Sequence, residues 1–304
     1  MDSNHSLLLK KLTASWSKRA QVKKEELLPF WEEKHEDFIS ALLPFSHSAH
    51  YQALSPSVKS KILTCGWLLY NFKTIQIESK IVMGSCLDII KEGSSVTDNE
   101  AILLLATETL TDEAYHIYLI IKANQFTEQK RGFKINPPLF NLILEKNKLQ
   151  NNATESWQKI LINLVFAIVS EVYIGDYLDV LSHSNQIQPF NQMVTMLHRK
   201  DELAHRKIFK EIAKNIFNKL NLKQKNYFSK IFPLPLKWFF DREMEAWESA
   251  LLQIKCKDFK KLIFDAKSML EPARDYTQII SLAEEIGILE SQVGKDAFHS
   301  EKII

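Results

Sequence analysis

Glycine is scarce in this 304-residue chain, seven in all, and the nine prolines fall in a few clusters. That shortage leaves long uninterrupted stretches with apolar residues at helical spacing, so the chain reads as all-α. Cysteine is scarcer still: Cys65, Cys86 and Cys256 stand far apart, without CxxC spacing. Neither a disulfide framework nor a thiolate metal site is indicated, and a reducing cytoplasm fits best. An excess of either charge is missing too, because 39 Lys and Arg face 37 Asp and Glu for a formal net charge of +2. No basic block with interleaved aromatics offers a nucleic-acid groove. The opening MDSNHSLLLKK has only three consecutive apolar residues, too few for a signal-peptide core. Nor does any run approach the ~20 apolar residues of a membrane span. The expectation is a cytoplasmic protein with no nucleic-acid or membrane partner.

What is present is a succession of long helices. After ALSPS, a helix is predicted from about Val58 to about Lys91, ended by Gly93. The next opens at TDNE, where Thr97 and Glu100 have capping-box spacing, and runs to about Phe126. A third spans roughly Thr154 to Leu181, and a fourth opens with Pro189 in its first turn and reaches about Leu220. Two such hairpins predict a four-helix bundle. RGFKINPP separates them and is followed by a shorter helix in LFNLILEKNKL. Accessory helices are expected on both sides, an N-terminal pair before about Ser40 and a C-terminal group after FPLPLKW. With no low-complexity linker, residues 1–304 read as one domain.

Charged residues inside the most apolar helices carry the chemistry. AILLLATETLTDEAYHIYLII is apolar around most of its circumference, yet holds Glu108, Asp112, Glu113 and His116. Glu171 sits in FAIVSEVYIG in the same way. Unpaired buried carboxylates cost several kcal/mol, and no Lys or Arg lies within a helical turn of Glu113 or Glu171, so a divalent cation is the expected partner. At ~100° per residue, Glu113 and His116 lie ~60° apart on one face. Glu202 and His205 repeat the arrangement, since DEAYH and DELAH share the Asp-Glu-x-x-His pattern. Two Glu-x-x-His helices, each joined by a Glu from a further helix, give the four-carboxylate, two-histidine set of di-iron and di-manganese bundles. Glu78 and Glu171 are the nominated acids in the preceding helices, with thirty-five residues from Glu78 to Glu113 and thirty-one from Glu171 to Glu202; Glu92 and Glu100 are other acids near Glu78 but lie toward helix ends. The metal-binding core is thus about residues 58–220. His198 lies four residues before Glu202 on the same face and can reach the same metal.

Glu78, Glu113-x-x-His116, Glu171 and His198-x-x-x-Glu202-x-x-His205 resemble the full ligand set of the non-haem di-iron arylamine N-oxygenases. The match covers residues 78–205 and includes the extra histidine that ordinary ferritin-like hydroxylases lack. The resemblance implies a ferritin-like core, often a homodimer, with two Fe ions (Mn as the other candidate) and O₂ as co-substrate. Through a peroxo di-iron(III) species, such an enzyme takes an aromatic amine to hydroxylamine, nitroso or nitro. An external electron donor or reductase is implied, as no flavin or NAD fingerprint occurs. Asp112 and Asp201 are expected to accept a hydrogen bond from a ligand histidine, by analogy with other di-iron bundles. Tyr70 and Lys73, one or two turns before Glu78, fall where family members line the substrate pocket. Lys73 cannot provide the planar two-point clamp of an arginine, a departure that counts against p-aminobenzoate itself. Two other readings keep the bundle: a di-iron C–H hydroxylase or desaturase-like oxidase, and a ferroxidase that stores iron.

Overall fold

The computed structural model describes all residues except 1–2, 25–27, 93–96, 98 and 271–272. Its elements are helical in chain order: α1 (Ser3–Arg19), α2 (Ala49–Gln52), α3 (Pro56–Ile77), α4 (Met83–Glu92), α5 (Glu100–Arg131), α6 (Asn141–Asn152) and α7 (Ser156–Ser182). After these come α8 (Pro189–Lys219), α9 (Leu222–Ile231), α10 (Leu234–Phe239), α11 (Met244–Gln253), α12 (Phe259–Ser268), α13 (Thr277–Glu285) and α14 (Gln292–Ser300). Among the described residues the only extended pairing is an isolated parallel bridge between Glu36 and Ile187.

The bundle is built from α3 with α4, α5, α7 and α8; α7 packs along α8, α4 along α5, and α5 against both α3 and α8. The all-α expectation and the four long helices hold, with three corrections. The first helix does not run straight to Lys91: a π-helical turn at Glu78–Val82 separates α3 from α4. Such a turn inserts one residue into the helical ladder, and nothing in the apolar period announces it. The cap of α5 is Asn99, whose side chain accepts from the Ala101 N–H, rather than Thr97. Thr97 instead donates to Asn215 Oδ1 and accepts from the Asn99 N–H. Gly93 lies outside the described residues. In place of the expected N-terminal pair, the described residues before Ser40 hold one α-helix, α1, followed by a short 3₁₀ turn at Gln21–Lys23.

α5 runs five residues past Phe126 and stops at Gly132, whose φ of 72° is a left-handed stop that glycine adopts without strain. α7 is the central helix, buried almost continuously from Leu161 to Gly175. By length and composition it could cross a membrane, contrary to the expectation that no run approaches a span; 78% of its apolar window is nonetheless buried inside the protein. Its hydrophobicity is that of a core helix, and the bundle covers it. The C-terminal helices close the bundle from outside: α9 and α13 pack on α7, α10 on α6 and α7, and α11 on α3. All three cysteines are free and buried.

Candidate metal centre

The four bundle helices deliver seven buried side chains to one interior point: Glu78 at the π-helical turn, Glu113 and His116 from α5, Glu171 from α7, and His198, Glu202 and His205 from α8. All are at most 3% exposed. Two overlapping groups have donor atoms within 4.8 Å of one another: Glu78, His116, His198 and Glu202 in one, and Glu113, His116, Glu202 and His205 in the other. Glu171 Oε2 stands 3.8 Å from His205 Nδ1, on the second group's side.

Glu113 belongs to the second group and faces both of its histidines. Its Oε2 is 3.3 Å from His116 Nδ1, and its Oε1 is 2.9 Å from His205 Nδ1. Glu202 Oε1 is also central, 3.4 Å from the Nδ1 atoms of both His116 and His205 and 3.0 Å from His198 Nε2. His198 Nε2 is in turn 3.0 Å from Glu78 Oε1.

The histidines are oriented from behind. His116 Nε2 lies 3.2 Å from Asp201 Oδ2, and His205 Nε2 lies 3.1 Å from Asp112 Oδ2. A carboxylate accepts only, so each Nε2 carries the proton and, in a neutral ring, Nδ1 is left with its lone pair toward the cluster. His198 is reversed and turns Nε2 inward.

The two aspartates are anchored by α1 and the turn after it. The Trp16 indole N–H donates to both Asp112 oxygens at 2.9 and 3.0 Å, and Arg19 Nη1 donates to Asp112 Oδ2 at 3.3 Å. The Gln21 backbone N–H reaches both Asp201 oxygens at 3.3 and 3.2 Å. Sequence reasoning missed Trp16, Arg19 and Gln21, because partners 93 to 180 residues apart leave no local pattern.

Without a cation this arrangement is electrostatically frustrated. Burial, with the charges of Glu202 and Glu113, pushes Glu171 well above the usual carboxylate range. Burial also lifts Glu78 to about 7 despite the opposing pull of His198. Burial disfavours charge on Glu202 as well, but His205 and His198 hold it well below its ordinary value. Burial likewise opposes the imidazolium of His116 and His205, yet their carboxylate neighbours raise both well above normal. Glu78 Oε1 and Oε2, Glu113 Oε1, Glu171 Oε2, Glu202 Oε2 and His205 Nδ1 are buried without a well-formed hydrogen bond. Groups so costly to bury unsatisfied fit a site for cations. Four carboxylates balance two divalent ions, and oxygen with imidazole donors suits iron or manganese. Glu108, buried and raised to about 7 by desolvation, belongs to neither donor group.

Beside the cluster lies a cavity of about 590 Å³, within the range of small-molecule sites. Tyr70, Thr74 and Ile77, in the turns before Glu78, line it together with Ile174, one turn after Glu171. The buried Tyr70 hydroxyl is pushed up by desolvation and then by the charge of Glu78, which places it in the field of the cluster. Lys73 also lines the cavity, but forms an ion pair with Glu243 at 2.9 Å. Glu243, at the start of α11 and 170 residues away in sequence, was not foreseen.

A helical bundle with paired Glu-x-x-His helices converging on a buried interior defines the class of carboxylate- and histidine-lined metal-binding bundles. Residues 2–287 match the profile described as p-aminobenzoate N-oxygenase AurF, and the chain belongs to that family of enzymes. It is 24% identical over 293 residues to the 4-aminobenzoate N-oxygenase of Streptomyces thioluteus, covering 93% of this chain and 87% of that protein.

Proposed function

We propose that this chain is a di-iron, O₂-dependent oxygenase that N-oxygenates an aromatic amine, first to the hydroxylamine. The observation that carries the reading is the convergence of two overlapping buried donor groups that share His116 and Glu202, with the two oxygens of Glu113 facing two different histidines, His116 and His205. Glu78, Glu113, His116, Glu171, His198, Glu202 and His205 would hold the two ions. When bound, the pair would provide the site at which O₂ is activated and would pass on to it the electrons of the external donor.

The protein's own groups do the rest. Asp201 and Asp112 keep His116 and His205 in the tautomer that presents Nδ1 inward. The apolar shell of α7 excludes water from the centre, which limits loss of oxidant to side reactions. Phe239 and Phe240, whose rings meet edge to face at 5.2 Å, line the adjoining cavity and suit an aromatic ring. Conversion of an amine to a hydroxylamine places one oxygen atom of O₂ on nitrogen. The other leaves as water, with two protons and two electrons from an external donor. Free, buried cysteines are consistent with a reducing cytoplasm.

Iron-loaded protein supplied with a chemical reductant, O₂ and a panel of arylamines tests the reading by chromatography. Hydroxylamine, nitroso or nitro products support it. Oxidation of an alkyl substrate with every amine untouched would favour a C–H hydroxylase, and growth of a ferric mineral would favour iron storage.

A further inference from the structure

The wall of the cavity beside the metal centre holds three cations, Lys73, Arg242 and Arg274, and three carboxylates, Asp176, Asp241 and Glu243. The cation closest in sequence to the centre, Lys73 on α3, is engaged twice: its Nζ is 2.9 Å from Glu243 Oε1 and donates to the Phe239 carbonyl at 3.0 Å. Glu243 is itself fixed. It is 7% exposed, its Oε2 accepts from the Asn141 N–H at 2.9 Å, and its backbone holds a left-handed φ of 55°. Its own N–H is tied to Asp241 Oδ1, which also accepts from Asn141 Nδ2. The pair therefore cannot open by simple rotation of an exposed side chain.

The arginines are also engaged. Arg242 donates to the carbonyls of Ala266, Met269 and Leu270, and Arg274 donates to the Phe240 carbonyl and lies over its ring at 5.1 Å. A ring carboxylate brought to Lys73 would lie within a few ångströms of the Glu243 carboxylate. Like charges at that distance in a desolvated wall are repulsive, and the gain from Lys73 is cancelled. An uncharged ring substituent meets no such repulsion.

We infer that Glu243 is a specificity-determining residue that neutralises Lys73, so that the cavity selects arylamines without an ionised ring carboxylate. The inference rests on the arylamine reading above and names its substrate class. The Glu243–Lys73 pair excludes the anionic substrate by charge, while the aromatic wall still accepts the ring.

The test compares p-aminobenzoate with p-aminobenzamide, a neutral analogue of nearly the same shape, by equilibrium binding to the iron-loaded protein under anaerobic conditions. Wild type is expected to bind the amide at least about tenfold more tightly. Glu243→Gln keeps an acceptor for the Asn141 N–H but leaves Lys73 uncompensated, and is expected to bring the ratio to parity or reverse it. Wild type binding the benzoate as tightly as the amide overturns the inference, as does a folded Glu243→Gln protein with an unchanged ratio. Should the variant not fold, the wild-type ratio decides alone. The product assay separates the two levels: p-aminobenzoate oxidised in preference leaves the arylamine reading standing and removes this inference, whereas failure to bind either amine removes both.

Discussion

Asp112 is the sequence neighbour of Glu113 on α5, yet its side chain holds the histidine of the other repeat, His205 on α8, at 3.1 Å. Asp201 returns the contact to His116 at 3.2 Å. The two Asp-Glu-x-x-His copies are therefore interlocked: each supplies the aspartate that sets the other's imidazole. Loss of one aspartate should affect the ligand on the opposite helix. Asp112→Asn and Asp201→Asn are each expected to lower iron affinity by about 10- to 100-fold, measured by competition with a chelator. Wild-type affinity in both would show that the crossed contacts do not orient the ligands.

The N-terminal helix should matter to the centre although it supplies no ligand. Trp16→Phe removes the indole N–H that donates to Asp112, whose carboxylate is fully buried. A cost of about 1–3 kcal/mol is expected, because a buried charged acceptor loses a donor. Chemical denaturation of the metal-free protein measures it. An unchanged midpoint and slope would mean that Arg19 and water compensate fully.

Metal loading should release protons. In the metal-free protein His116, His205 and Glu171 all have raised pKa values and so keep their protons to higher pH than the free side chains do. Two cations must displace these, so apparent affinity falls as pH falls, and anaerobic addition of Fe(II) to weakly buffered protein should acidify it. The sign for stability follows. Raised histidines stabilise the metal-free fold fully below their unfolded value of ~6.5, and this is lost as pH rises through their folded values. A raised Glu171 also costs stability as pH climbs above its unfolded value of ~4.3. Metal-free protein should therefore lose stability from neutral to alkaline pH, and loaded protein should lose less. Equal pH slopes for the two forms would contradict this.

Far from the centre, Lys146 is buried against Asn163 and Gln150, and desolvation lowers it to about 8. Its folded value lies below the unfolded value of ~10.4, so the penalty is complete below about pH 8 and fades as pH rises toward ~10.4. Lys146→Met is expected to raise the melting temperature at pH 7, with the advantage shrinking by pH 10. A variant less stable than wild type at both values would show that the hydrogen bonds to Asn163 and Gln150 outweigh the buried charge.

The parts of this molecule that were readable in sequence are those governed by spacing along a single helix. Glu113 with His116, and His198 with Glu202 and His205, lie one or two turns apart, and their apolar surroundings made the charges conspicuous. The same logic found the four long helices, because glycine and proline interrupt them so rarely. It could not find the π-helical turn at Glu78–Val82, which inserts a residue without disturbing a helix that is apolar on several sides. It placed the run in α7 correctly as a bundle helix, but apolar residues around the whole circumference also meet the length and composition of a membrane span, which the sequence reading had not granted. Trp16 to Asp112, Gln21 to Asp201 and Lys73 to Glu243 join residues 96, 180 and 170 apart, set only by tertiary packing.

We propose that the seven-residue cluster serves to transfer oxygen from O₂ to the nitrogen of an arylamine. A single turnover of the Fe(II)-loaded protein with isotopically labelled O₂ and an uncharged arylamine tests it directly, with the product read by mass spectrometry. The expected result is an N-oxygenated product whose nitrogen carries labelled oxygen, and no product from a Glu113→Ala protein treated identically. Absence of any N-oxygenated product, or an oxygen that derives from water, would contradict it.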